Sequence, residues 1–142
     1  MNERNIAAAR RLYEEVYNQG NLDAIEEIYH PDFFAHGNSV SPEGIRGHQG
    51  LREFVTLIRT ALPDAYFTIE DVLSDNDRVA VRWTMTGTLN GPLFGFPPNG
   101  KSGKVTGITI HRFLEGKAIE AWEEADMLGA FDQFGILPSI KN

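Results

Sequence analysis

The stretch from Gly107 to Gly129, GITIHRFLEGKAIEAWEEADMLG, is two apolar-rich runs joined by Glu115-Gly116. Such runs around a Gly-containing dipeptide predict a β-hairpin with a two-residue turn. With Glu115-Gly116 as the loop, Leu114 faces Lys117, His111 falls opposite Glu120 and Thr109 opposite Trp122. Side chains alternate faces along a strand. The alternation therefore predicts one face carrying His111, Glu120, Trp122, Glu124 and Asp126, and another carrying Ile108, Ile110, Ile119, Ala121 and Ala125. A histidine, an indole and three carboxylates suit an exposed strand or the wall of a wet or ligand-filled cavity, not a dry core. The indole favours the cavity.

Composition frames this hairpin. A chain of 142 residues, 42% hydrophobic and 11% aromatic, suits one folded domain spanning residues 1–142. A formal charge of −7 argues against nucleic-acid or anionic-membrane partners, which recruit basic surfaces. It is compatible with a small neutral substrate. There is no cysteine, which excludes disulfides, thiolate metal sites and a thiol nucleophile. The N-terminal MNERNIAAARRLYEEV is charged and amphipathic, with no apolar stretch of signal-peptide length, and no run approaches membrane-spanning length. A cytoplasmic location is the simplest expectation.

Upstream of the hairpin the pattern is helical first and β afterwards. Ile6, Ala9, Tyr13, Val16 and Tyr17 recur at helical spacing until Asn18-Gln19-Gly20 stops them. Asn21 caps a short second helix with Leu22, Ile25 and Ile28, ending before His30-Pro31. Phe33 to His36 read as a short strand, and Gly37 to Gly47 as a loop. Leu51, Phe54, Val55, Ile58 and Leu62 mark a third helix before Pro63. Strands follow at Tyr66–Leu73 and Arg78–Thr88 around the turn Ser74–Asp77, and residues 128–135 predict a closing helical turn or two. Thr88 to Lys104, TLNGPLFGFPPNGKSGK, is a long Gly/Pro loop carrying Leu93, Phe94 and Phe96. It reads equally as a lid over a pocket mouth, or as a loop tucked onto the sheet edge or a dimer contact. Helices gathered at one end and a meander after them indicate an α+β layered fold.

Three stretches, YEEVYNQGNLDAIEEIYHPDF, ALPDAYFTIEDVLSDNDRVAVRWTMTGT and GKAIEAWEEADMLGAFDQFG, together resemble the SnoaL-like polyketide cyclases of the nuclear-transport-factor-2-like superfamily. The Gly20-Asn-Leu-Asp23 turn speaks only for the superfamily. The Pro63-Asp64 after helix three, the Arg82-Trp83 strand with Gly87, and the Trp122, Asp126, Gly129 ending are more particular to the SnoaL-like branch. The resemblance implies a cone: a curved mixed or antiparallel sheet with three helices from the N-terminal half on its concave face, enclosing a pocket. It also implies intramolecular aldol ring closure by an aspartate acid/base, with no metal or organic cofactor, and pairing through the open sheet face. A homodimer burying Ile108, Ile110, Ile119 and Ala121 is expected.

On that resemblance Asp126 stands where the acid/base aspartate belongs, and the face count points it the same way as Trp122. A carboxylate shielded by aromatics and beside Glu124 would titrate high enough to shuttle protons. Its structural alternative is a helix cap before Met127. His36 and His111 are further catalytic candidates, either of which could orient or protonate a carbonyl oxygen, against the plainer reading of structural strand histidines. Tyr13, Phe54, Arg82, Trp122 and Glu124 are candidate substrate-binding residues. His36, His111, Glu124 and Asp126 are ligand-type side chains without compact metal-site spacing, so no metal is expected.

Two relatives within the superfamily test these assignments. The Asn-x-Gly-x-Leu-Asp turn aligns Tyr13 with the oxyanion-hole tyrosine of steroid isomerases, whose acid would fall at Thr109. Limonene-type epoxide hydrolases place an arginine and two aspartates where Arg82, Thr84 and Glu124 stand. Each lacks a part here. The expected activity is a cyclase or isomerase acting on a small, largely apolar carbonyl compound. Isomerase-like, epoxide-hydrolase-like and non-enzymatic small-ligand-binding readings remain as alternatives.

Overall fold

The computed structural model describes residues 3–37 and 41–136. Residues 38–40 of the expected Gly37–Gly47 loop lie outside them. Helix α1 (Glu3–Arg11) continues as a π-helical segment, Leu12–Asn18, burying Leu12, Tyr13 and Val16. A 3-10 turn at Leu22–Ala24 leads into α2 (Ile25–Ile28), then β1 (Tyr29–Ala35) and the two-residue strand β2 (Ile45–Arg46). Helix α3 (Gly47–Ala61) precedes β3 (Tyr66–Asp75), β4 (Arg78–Thr88), β5 (Ser102–Leu114) and β6 (Lys117–Ala125). Helix α4 (Met127–Gln133) follows.

The strands form one curved, open six-stranded sheet in the order β2-β1-β6-β5-β4-β3. It is mixed, since β1 runs parallel to β6 while the other pairs are antiparallel. Helix α1 packs on β4, α3 on β1 and β2, and α4 on β5. The fold is α+β, as expected. Strict alternation explains which face the helices cover. On β4, Val79, Val81, Trp83 and Met85 are buried, and on β5 Val105, Gly107, Thr109, His111 and Phe113 are.

The π-helical segment needs partners for its last carbonyls. Arg59 of α3 supplies them, its Nη1 donating to the Tyr17 carbonyl at 2.7 Å and the Asn18 carbonyl at 3.2 Å. Asn18 then pins the helix end to β3, accepting from the Phe67 amide at 2.6 Å and donating to its carbonyl at 3.0 Å. The segment is thereby fixed with Tyr13 and Tyr17 stacked, ring centres 6.2 Å apart.

The β5–β6 hairpin has the expected turn, with φ of 53° at Glu115 and 83° at Gly116 and Leu114 paired with Lys117. Beyond it the register departs from the simple count. Phe113 pairs with Ala118, but Arg112 pairs with Glu120, so Ile119 is an unpaired bulge. Every later pairing slips by one: His111 with Ala121, Ile110 with Trp122, Thr109 with Glu123, and Ile108 with Glu124. The face assignment from alternation is therefore corrected for β6. Ala121, Glu123 and Ala125 turn toward the helices with Thr109 and His111, while Glu120, Trp122 and Glu124 turn outward with Ile108 and Ile110. One extra residue inverted the strand.

Candidate active site

Between the helices and the covered face of the sheet lies a cavity of about 120 Å³, room for a small organic molecule. Its walls are mostly apolar and aromatic. Tyr13 and Tyr17 come from the first helix, Phe54 from α3, Phe67 and Trp83 from β3 and β4, and Phe131 from α4. The loop before β5 contributes Leu93 and Phe94, the latter edge-on to Phe131 at 6.4 Å. That contact gives the Thr88–Lys104 loop a place in the cavity wall.

Polar groups gather on one part of this lining. Thr109 and His111, each 4% exposed, project from alternate positions of β5, and Glu123 projects from β6 opposite Thr109. The indole Nε1 of Trp83 donates to Thr109 Oγ1 at 2.9 Å, and Thr109 Oγ1 donates to Glu123 Oε1 at 3.1 Å. Gly107, paired with Trp83, lets the indole lie across the strand, because a Cβ there would collide with its ring. Tyr13 Oη lies 2.9 Å from His111 Nε2, and Thr109 is close enough to hydrogen-bond the same phenol. Glu123 acts electrostatically on Tyr13, Tyr17 and Tyr29.

Burial sets the protonation of this group. Desolvation holds the His111 imidazole down to about 4, so it is neutral at neutral pH. It pushes the Tyr13, Tyr17 and Tyr29 phenols well above their ordinary value, so all three keep their protons. A carboxyl group, a threonine hydroxyl, a neutral imidazole and protonated phenols thus converge in an otherwise oily cavity. Such an arrangement can take a proton from carbon and hydrogen-bond an oxygen.

A profile of the SnoaL-like polyketide cyclases matches residues 7–134. The chain belongs to that family. Aklanonic acid methyl ester cyclase of Streptomyces peucetius is 27% identical over 133 residues, covering 92% of this chain and 90% of that protein. A solved structure from Jannaschia sp. CCS1, assigned as a SnoaL-like polyketide cyclase, matches with a TM-score of 0.85 at 25% identity. That match covers 95% of this chain and 94% of the other. TsrD from Streptomyces laurentii gives 0.81 at 28%, covering 92% and 97%.

In this SnoaL-like domain the sequence-predicted residues divide. Tyr13, Phe54 and His111 line the cavity. His36 borders it, but its ring stacks on Trp122 at 5.0 Å and its Nε2 pairs with Glu120 Oε2 at 2.6 Å. Trp122 itself is on the outer face, with the Arg78 guanidinium 4.8 Å from its ring centre. Glu124 is exposed on that face as well. Arg82 also points outward and pairs with Asp71 at 2.6 Å. Trp122, Glu124 and Arg82 are therefore not cavity residues, the first two because of the Ile119 bulge. The epoxide-hydrolase-like grouping of Arg82, Thr84 and Glu124 is absent from the cavity.

Asp126 is exposed, lies outside the lining, and caps α4 by accepting from the Gly129 amide at 2.9 Å. The cap alternative describes its geometry. Counting faces without a bulge missed Glu123. Trp83 of β4 also faces the cavity. The small residues Ala118 and Ala121, three apart on one face, are the available sign that β6 breaks its alternation.

Two expectations follow from this geometry. Asp126→Ala should cost about 1 kcal/mol in urea unfolding by removing the cap, and Asp126→Asn far less. His111 ordinarily titrates near 6.5 and in the fold near 4. Between those values the unfolded chain binds more protons, so stability should fall as pH drops through that window, by roughly 3 kcal/mol in all. Unfolding midpoints of the parent and His111→Gln from pH 7 to 4 check this, the variant giving the flatter profile.

Proposed function

We propose that this domain is a cofactor-independent cyclase acting on a small, neutral, largely apolar carbonyl compound by intramolecular aldol chemistry. The observation that carries the reading is Glu123, a carboxylate set in an aromatic cavity beside Thr109, Tyr13 and His111. Family membership and the 27% identity to a named ester cyclase support the reaction class.

In this reading Glu123 removes a proton from a carbon next to a carbonyl group. The enolate carbon attacks a second carbonyl carbon of the same molecule, and the new C–C bond pushes that carbonyl's π pair onto its oxygen. The proton held by Glu123 returns to the alkoxide. Nothing is oxidised, and no co-reactant is consumed. The buried phenols hydrogen-bond the oxygens on which charge develops. Among the described residues no lysine or arginine lines the cavity, and Glu123 would repel an anion, which supports a neutral substrate.

The test is α-proton exchange of activated ketones into D2O, followed by NMR, then ring closure of linear polyketide-like ketones. Glu123→Gln keeps size and hydrogen-bonding reach and should slow both at least about a hundredfold. Parental exchange in Glu123→Gln would remove this carboxylate from the mechanism. Tight ketone binding by the parent without exchange would favour a carrier.

The outer sheet face supports a second proposal, a homodimer. Ile108 is 50% and Leu73 71% exposed; Ile110 lies two residues along β5 from Ile108, with Trp122 paired to it on β6 and Ala80, the partner of Leu73, paired to it on β4. Trp122 and Leu73 replace Ala121 and Ile119 in the expected patch, since Ala121 is buried toward the helices and Ile119 forms the bulge. Sedimentation at micromolar concentration should give a dimer, and Ile108→Lys a monomer. A monomeric parent would end this proposal.

A further inference from the structure

His111 leaves one atom without a partner. Its Nε2 meets Tyr13 Oη at 2.9 Å, while its Nδ1 is buried and bonds to nothing. A neutral imidazole carries one proton, on one of these nitrogens. On Nδ1 that proton would be an orphaned buried N–H, which folded proteins almost never keep. On Nε2 it has an acceptor in Tyr13, and only a lone pair goes unused.

That choice propagates along the chain of bonds. If Tyr13 Oη accepts from His111, its own proton must be donated elsewhere. Thr109 is the other polar neighbour: its oxygen accepts from Trp83, gives its proton to Glu123, and keeps a second lone pair for the Tyr13 hydroxyl. The Tyr13 proton thus rests on the cavity lining at Thr109, where an oxygen that enters beside Glu123 can replace Thr109 as its acceptor. The titratable groups around it are Tyr17 on the same helix, Tyr29 on β1, His111 on β5 and Glu123 on β6.

We propose that His111 is a positioning residue whose Nε2–H, donated to Tyr13, turns the Tyr13 hydroxyl into the hydrogen-bond donor for the substrate oxygen that becomes anionic. Tyr13 is then a catalytic residue, and His111 acts through it. This rests on the reading of Glu123 as the base and divides the remaining work between its neighbours. Burial supports the division: the imidazole has no second proton to give at neutral pH, and the phenol keeps its own and so donates a hydrogen bond. Donors fixed in advance and shielded from water are the effective kind.

The first test needs no substrate. In protein carrying nitrogen-15 histidine, ring shifts at neutral pH should show His111 protonated at Nε2 and bare at Nδ1, with His111→Gln assigning the signal. A proton on Nδ1, or an imidazolium, overturns the proposal. The second uses naphthol, whose phenolic oxygen imitates the developing oxyanion. Tyr13→Phe should weaken its binding about tenfold or more, and His111→Leu by a similar factor. His111→Gln, whose amide N–H can replace Nε2–H, should stay within about threefold of the parent. Unchanged binding by Tyr13→Phe, or equal losses in His111→Gln and His111→Leu, overturns it. Naphthol bound through Tyr13 in a protein that exchanges no α-protons would sink the cyclase reading, and Tyr13's catalytic role with it, while leaving the His111-to-Tyr13 hydrogen-bond arrangement standing.

Discussion

The cavity depends on one unpaired residue in β6. On its helix-covered side β5 presents Gly107, Thr109, His111 and Phe113, and across from them β6 presents Ala125, Glu123, Ala121 and Ala118. Three of those four are alanines, whose small side chains leave the space the cavity occupies. Without the bulge at Ile119, Trp122 and Glu124 would turn inward in place of Ala121 and Glu123. An indole would fill the space, and the inward Glu120 would lose its ion pair with Arg112. Burying an uncompensated carboxylate costs several kcal/mol, far more than one missing ladder bond. The neighbouring strand accommodates the same irregularity. Parallel β1 pairs Tyr29 with Ala118 and then Phe34 with Glu120, passing the bulge with a segment that contains Pro31, which has no amide to offer.

The polar part of the cavity is held by elements far apart in sequence, and this explains its rigidity. Tyr13 and His111 are 98 positions apart, yet each is fixed on its own element before they meet. Arg59 and Asn18 lock the π-helical segment that carries Tyr13, and ladder bonds on both sides lock β5. A neutral hydrogen bond contributes only about 1 kcal/mol net, but an orphaned buried partner costs about 1–3. Trp83, Thr109 and Glu123 are each engaged, so removing any one leaves another group stranded. Gly107 enters at the same point, because the Trp83 N–H reaches Thr109 only across a position with no side chain.

The fold was legible because its signals are local and periodic. Helical apolar stripes located α1 and α3, the alternating run Arg78–Thr88 gave β4 its full length, and Glu115-Gly116 marked the tightest turn. The family resemblance carried the architecture. The site was legible only where it rested on elements without irregularity. Tyr13 and Phe54 on helices and His111 on unbroken β5 face the cavity as read. Trp122 and Glu124 do not, since a two-residue period extrapolates correctly only until a residue is inserted, and Ile119 is such an insertion. Arg82 had no partner in the sequence to settle its direction. In three dimensions Asp71 sits beside it after a second bulge in β3, between Ile69 and Asp71.

Asp126 and Glu123 show why residue type and motif position do not settle a carboxylate's surroundings. They are three residues apart, and both are carboxylic acids close to the same aromatic cavity. A base must first reach the proton it removes, and only then does its basicity matter. Asp126 sits past the end of β6, exposed, with one oxygen committed to the first turn of α4. Its work there is indirect: it fixes a helix whose Ala130 and Phe131, with Phe134 just past its end, close the cavity wall. Glu123 is still inside the strand, paired with Thr109 of β5 in the ladder and already bonded to its hydroxyl. A carboxylate on a laddered strand keeps its position as the cavity fills, and that rigidity is what proton transfer to and from a bound carbon requires.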